Sequence, residues 1–345
     1  MVTIADVAQQ AGVSISTVSY VMSGKRAISQ DTRDRVVAAI DALEYRPHAS
    51  ARSLASRSTN VIGLQAPLRS GVDVHVVMEI VAGVVREARA HQYDILLLTS
   101  DDAEGLNRAA GASMVDALLV MDVESADPRI GTLRELTTPS VLIGLPDGGE
   151  SLTCVDFDFE AAGRLAAERL IALGHTRIAL LGAPREVLDR HTSYADRLTR
   201  GFLDACAAHG VTGSMHACPN GVEGADVLDQ VLADDPAITG LLIHNEGALA
   251  HVAARAARIG GLDALALCPA DIFRTVPGLV DGIEIPAEGI GSAATEAVFA
   301  LLSGESAPRV QLLPPELMSQ RAAAALAIDA AEDETAADEA PAAAV

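Results

Sequence analysis

From Asn60 to about residue 320 the chain repeats one pattern: a short, almost wholly apolar run, then a longer amphipathic stretch, then another run. A strand that is apolar on both faces needs cover on both, which is the condition of a parallel sheet lying between two layers of helices. Strands are expected at 61–64, 95–98, 117–120, 141–143, 178–181, 241–244 and 264–267. Helices are expected at 77–91, 159–173, 198–209, 248–259 and 287–303. That many strands suits two open sheets, and at 345 residues the chain is long enough for a bilobed domain plus a small module.

The small module is N-terminal. Thr3 is placed to cap a helix with Ile4, Val7, Ala8 and Ala11 on one face, and Gly12 ends it. About three residues later Ser14 or Ser16 caps a second helix, with Val18, Val21 and Met22 inward and Gly24 as its left-handed terminus. A third helix begins after Ser29, runs to about Leu43 and is stopped by the segment holding Pro47. Helix, short turn and a second helix rich in serine and threonine form a helix-turn-helix arrangement. The segment HASARSLASRST that follows has one large apolar residue, Leu54, and is only marginally helical in isolation.

The formal net charge of −22 argues against a general nucleic-acid coat. Its distribution matters more than its sum. Residues 1–60 carry seven Lys or Arg against five acids, which leaves −24 for the rest, so only the N-terminal module can approach DNA. Cys154, Cys206, Cys218 and Cys268 are too scattered for a zinc or redox motif and read as buried thiols. No metal and no cofactor is expected. No uncharged apolar run approaches the ~18 residues of a membrane span. The N-terminus lacks the basic and apolar blocks of a secretory signal, so a cytoplasmic location is expected. Residues 329–345, acidic and without aromatics, read as a disordered tail.

The run from VTIADVAQQAGVSISTVSYVMSGKR to HASARSLASRSTNVIGL resembles the DNA-reading headpiece of the lactose-repressor (LacI/GalR) family along its whole length. LTCVDFDFEAAGRLAAERLIALGHTRIALLG and LLPPELMSQR resemble the periplasmic-binding-protein-like core of the same family. The resemblance implies an α/β chain in four parts: a headpiece over 1–46, a hinge helix and linker over 47–59, a bilobed effector-binding and dimerisation domain over 60–328, and the tail. Three crossings between the lobes are implied, with lobe 1 at about 60–158 and 290–320 and lobe 2 at about 159–289 and 321–328. Ile15, Ser16 and Tyr20 sit where the family's recognition helix meets base edges, and Ser14, Thr17 and Ser19 offer short hydroxyls to phosphates. Lys25, Arg26 and Ser29 are placed for backbone contact, and Thr3 is counted with the DNA-binding residues. In the hinge, His48 and Ala51 accompany Leu54, which the resemblance implies is wedged into the minor groove of a palindromic operator held by a homodimer.

In open α/β sheets ligands bind beyond the carboxyl ends of strands. Leu68, Arg69, Asp101, Asp122, Asn245 and Glu246 follow strands and are nominated on that ground. In RHTSYADRLTRGF, Arg197 resembles the family's sugar-contacting arginine, although it stands one residue further from Gly201 than is usual; Arg190, His191 and Tyr194 are alternatives. Cys268 falls where many relatives carry a contacting aspartate. His175, in LGHTRI, reads as part of the turn after a helix and not as a base. DVESADPRIGTLRELTTPSVLIGLP and its neighbours are similar to cellobiose-responsive members of the family, which implies release from DNA by cellobiose or a related cello-oligosaccharide. The absence of tryptophan weighs against a sugar, because sugar sites often stack on an aromatic face. Another sugar, or a corepressor, is the alternative within the family. A sugar-binding protein without a DNA role would lack the headpiece, and an enzyme would need a phosphate loop, nucleophile elbow or metal spacing that the sequence does not show.

Overall fold

A computed structural model describes residues 2–23, 26–43, 45 and 58–319. Lys25, Gly24, the hinge residues His48, Ala51 and Leu54, and the acidic tail lie outside the described residues.

The headpiece is built by its caps. Helix α1, Ile4–Ala11, opens on a capping box in which the Thr3 hydroxyl accepts from Asp6 N while the Asp6 carboxylate accepts from Thr3 N at 2.8 Å. It closes on Gly12 at φ 64°. Ser14 Oγ accepts from Thr17 N at 3.2 Å and starts α2, Ile15–Ser23, and Ser29 caps α3, Gln30–Ala42. Val7, Val18, Val36 and Tyr45 are buried together where the three helices meet.

The bilobed domain contains two six-stranded sheets. In the first, β1 (Val61–Gln65), β2 (Asp94–Leu98), β3 (Ala117–Val120), β4 (Ser140–Ile143), β5 (Thr153–Phe157) and β11 (Val310–Leu313) are all parallel, in the order β11-β5-β4-β3-β1-β2. In the second, β6 (Arg177–Gly182), β7 (Thr212–Ala217), β8 (Gly240–Ile243), β9 (Asp263–Cys268) and β10 (Asp281–Glu284) are parallel, and β12 (Leu317–Ser319) lies antiparallel on the β10 edge; the order is β12-β10-β9-β8-β6-β7. All seven expected strands are present within one residue at each end. Apart from the edge strand β2, their central positions are almost fully enclosed, which explains the unbroken apolar runs.

The chain crosses between lobes three times, but two crossings fall elsewhere than expected. The second comes at 285–286, since α13, Ala287–Ser303, packs on β3, β4 and β5 of the first lobe. The third comes at 314–316, so 317–319 belong to the second lobe and not to the first. Pro314 and Pro315 explain this: neither can donate to a ladder, so β11 stops at Leu313 and the chain leaves the sheet.

Each lobe has one pair of helices in contact backbone to backbone. In the first, α4 (Val74–Ala90) meets α13, and a Cβ at Gly83 would strike the Glu288 carbonyl while one at Gly291 would strike that of Ile80. In the second, α7 (Phe159–Ala172) meets α9 (Ser193–Ala208), with Gly163 against the Leu198 carbonyl and Gly201 against that of Glu160. Mid-helix glycine costs about 1 kcal/mol against alanine, so its use at both contacts reflects the close approach. Where the chain enters the first lobe, Asp116 accepts from Ser58 Oγ at 2.6 Å, Thr59 N at 2.7 Å and Asn60 N at 2.8 Å.

Candidate functional site

Between the carboxyl ends of the two sheets lies a cleft of about 1030 Å³, open solvent included. The first lobe contributes Asp73 and Val76 at the start of α4, Asp122 after β3 and Asp156 on β5; the second contributes Phe159, Tyr194, His244, Asn245 and Glu246. The walls are mainly apolar with a few converging polar groups, the usual make-up of a small-molecule site.

Four of the nominated residues line this cleft: Asp122, Tyr194, Asn245 and Glu246. Three more stand at its rim in one ionic network. Arg69 lies 3.0 Å from Asp101, 3.3 Å from Asp122 and 3.1 Å from Glu124, and Arg190 lies 3.4 Å from Asp122, so first-lobe acids hold an arginine from each lobe. Asp122 takes a left-handed backbone, φ 52°, and its Oδ2 is buried without a hydrogen bond among the described residues although the Arg69 guanidinium is close.

Four nominations are not brought to the cleft. Leu68 is 60% exposed and turned to solvent. The His191 side chain is likewise exposed, 3.4 Å from Asp196. Arg197 is buried on α9, 2.7 Å from Asp156 and 3.5 Å from Asp158, so its guanidinium is consumed in holding two carboxylates. Cys268 is fully enclosed at the end of β9, where burial pushes its thiol up. His175 sits between Thr239 Oγ1 at 2.9 Å and Asp263 Oδ2 at 3.1 Å beside the turn that ends α7, a packing position.

The sequence reading passed over His244, Phe159, Asp156 and Asp73. Phe159 and Tyr194 have ring centroids 5.3 Å apart, with His244 at 5.9 Å and 5.6 Å from them. Aromatic surface is thus present in the cleft without tryptophan. Burial pushes the His244 imidazole down to about 4, so it is neutral at neutral pH, and its buried Nδ1 has no partner among the described residues. Burial, opposed by a backbone hydrogen bond and reinforced by the charge of Asp73, pushes the Glu246 carboxyl up to about 7. The Asn245 amide donates to the Cys218 carbonyl at 2.6 Å, which anchors the HNE turn that presents both neighbours. The triplet HNE directly after an apolar run was the available signal for His244.

On the headpiece, Ile15 is 51% exposed and Tyr20 is 37% exposed, two large apolar side chains on a module with very little core to spare. Arg26 stands 5.8 Å over the Tyr20 ring. Ser16 is exposed and Ser19 partly exposed on the same helix. Thr3, Ser14 and Ser29 are committed to caps, and Ser14 Oγ also lies 2.8 Å from Thr17 Oγ1.

A helix-turn-helix module joined to two parallel-sheet lobes around a cleft defines the class: a two-lobed ligand-binding architecture carrying a nucleic-acid-reading head. Residues 3–48 match the family of bacterial regulatory proteins of the lacI type, and residues 167–323 match the periplasmic binding protein-like domain. The chain is 30% identical to catabolite control protein A of Priestia megaterium, over 70% of its own length and 73% of that protein. It is 34% identical to the HTH-type transcriptional regulator AglR of Rhizobium meliloti (strain 1021), over 61% of its own length but 59% of the relative. The chain spans about three-fifths of the first curated relatives it matches. Its fold is that of the lac repressor dimer bound to operator and the anti-inducer ONPF (TM-score 0.76, 22% identity, 92% of this chain and 98% of that one). The CelR–cellobiose complex shares it too (TM-score 0.63, 23% identity, 92% and 98%). The chain belongs to the lacI family of bacterial regulatory proteins.

Proposed function

We infer that this protein is a cytoplasmic, homodimeric transcriptional repressor of carbohydrate-utilisation genes that binds a palindromic operator and is released by cellobiose or a related cello-oligosaccharide. The observation that carries the reading is the presence in one chain of a headpiece with outward Ile15 and Tyr20 and of a cleft with acceptors, a neutral imidazole and aromatic rings. Among the described residues no helix is long and apolar enough to cross a membrane. The relatives it matches are regulators and not enzymes.

The cleft chemistry supports a neutral polyol. Carboxylates from both lobes face a guest with no cationic side chain inside, which disfavours an anion, while Asp122 Oδ2 and His244 Nδ1 have hydrogen-bonding capacity to spare. Rings at Phe159 and Tyr194 suit the apolar face of a pyranose. The fold match to a cellobiose complex agrees with a sugar guest. A guest that contacts both lobes favours their closed arrangement, and by reciprocal linkage it releases an operator that prefers the open one.

The test selects duplexes from a random-sequence pool with the purified full chain, then measures affinity by fluorescence anisotropy at fixed salt, with and without saturating cellobiose or cellotriose. An enriched palindrome whose affinity drops at least tenfold with sugar is expected. Failure to enrich any duplex refutes the DNA reading; an enriched duplex indifferent to both sugars refutes the inducer alone.

A further inference from the structure

We propose that His75, Glu79 and Asp271 form a divalent transition-metal site that bridges the two lobes at the mouth of the cleft. The site lies outside the ligand cavity and does not depend on which ligand the cavity takes.

His75 and Glu79 are one helical turn apart on α4, so both project from the same face of the first lobe. Asp271 comes from the second lobe, on the short helix α12, Ala270–Thr275, that follows β9. His75 Nε2 lies 3.2 Å from Asp271 Oδ2 and 3.7 Å from Glu79 Oε1, and one donor atom from each of the three residues falls within 4.8 Å of the others. Zinc bonds of about 2.0–2.2 Å at a tetrahedral angle set neighbouring donors about 3.4 Å apart. The two measured separations fall on either side of that distance.

Imidazole with two carboxylates is a donor set suited to zinc, with the fourth position left to water. All three side chains are partly exposed, so an ion can enter from solvent. One further observation supports a cation at this cluster. Asp271 Oδ1 is buried without a hydrogen-bond partner among the described residues, although the rest of its side chain reaches solvent. The mounting is rigid, because Asp73 accepts from His75 N at 2.8 Å and from Val76 N at 3.2 Å and so fixes the start of α4.

The bridging geometry has a consequence for regulation. A metal held by donors from both lobes favours their closed arrangement, so metal and cleft ligand each raise the other's affinity.

The test uses the full chain stripped with EDTA and dialysed, then titrated with zinc chloride alone while thermal unfolding is followed. His75→Gln, Glu79→Gln and Asp271→Asn are run beside the natural protein; all three sites are partly exposed, so the zinc-free melting temperatures should stay close to it. At a hundredfold excess over the dissociation constant zinc should raise the midpoint by about 5 °C, and each substitution should weaken zinc binding at least tenfold. The proposal is overturned if zinc leaves the natural protein unchanged, or if all three variants keep its affinity. Retention of affinity by Asp271→Asn with loss in the other two would place the metal on α4 alone and overturn the bridge.

Discussion

Replacing Arg197 with methionine should destabilise the protein markedly, because it strips the buried Asp156 carboxylate of its cation. The Arg197 and Asp156 side chains are 6% and 7% exposed and 2.7 Å apart, and Asp156 also accepts from Phe157 N at 2.9 Å. Methionine fills most of the space but leaves the carboxylate buried without its cation. Breaking a buried pair from one side costs about 3–5 kcal/mol, or about 6–20 °C in melting temperature for a domain of this size. The pH dependence provides an independent readout. Burial pushes the Asp156 carboxyl from 3.8 up to about 6 even against the attraction of Arg197, and without the arginine it rises further. A folded-state value above the unfolded one means that the folded protein holds the extra proton, so this contribution is complete below about 3.8 and is lost as pH rises through the folded value. The deficit of Arg197→Met should therefore be greatest at pH 8 and shrink towards pH 5. Removing Asp156 as well, in Arg197→Met/Asp156→Asn, should recover more than half of it at pH 8. Circular-dichroism melts of the three proteins at pH 5, 6.5 and 8 decide the matter: a deficit under 2 °C at pH 8, or one indifferent to pH, refutes the reasoning.

Glu246→Gln should flatten part of the stability profile. The natural carboxyl is raised from 4.5 to about 7, so its contribution is present below 4.5 and lost as pH climbs through 7; the variant should gain on the natural protein between pH 5 and pH 8, and parallel melting profiles would contradict this. Ile15→Ala removes a side chain that is 51% exposed, so stability should move by less than about 0.5 kcal/mol while affinity for the selected duplex drops about tenfold; an equal loss on a scrambled duplex would show that Ile15 reads no base.

The inner strands were legible because they are enclosed on both faces: runs such as 117–120 need no partner to be recognised, and each of their four residues is buried. Two of the strands that escaped carry weaker signatures, whereas β5, TCVDF, and β10, DGIE, are largely buried but interrupted by polar or charged residues. β7, TGSMHA, lies at a sheet edge with a partly exposed, partly polar face, and β12 has three residues whose place depends on the pairing with β10. Caps were readable for a related reason, since Thr3 and Asp6 act on neighbours within one turn. The cleft was only half legible. Strand ends led to Asp122, Asn245 and Glu246, but nothing local reveals that Arg197 spends its charge on a carboxylate 41 positions earlier. His244 was hidden for the opposite reason: it reads as the last residue of an apolar strand, and only the convergence of both lobes makes it a wall of the cleft.

The glycines of α4, α13, α7 and α9 have a mechanical consequence. Helices that touch backbone to backbone have no side-chain layer in which to slide, so neither lobe has slack to absorb a strain applied at its surface. The molecule behaves as two stiff plates on a hinge of three short threads, at 158, 285–286 and 314–316. One of those plates grips the strap to the headpiece through the Asp116 carboxylate, which clasps residues 58–60, and through Asp94 N, which donates to the Asn60 carbonyl at 2.9 Å. A rotation of that plate would carry residue 58 with it, with Asp116 as the crank pin of the coupling.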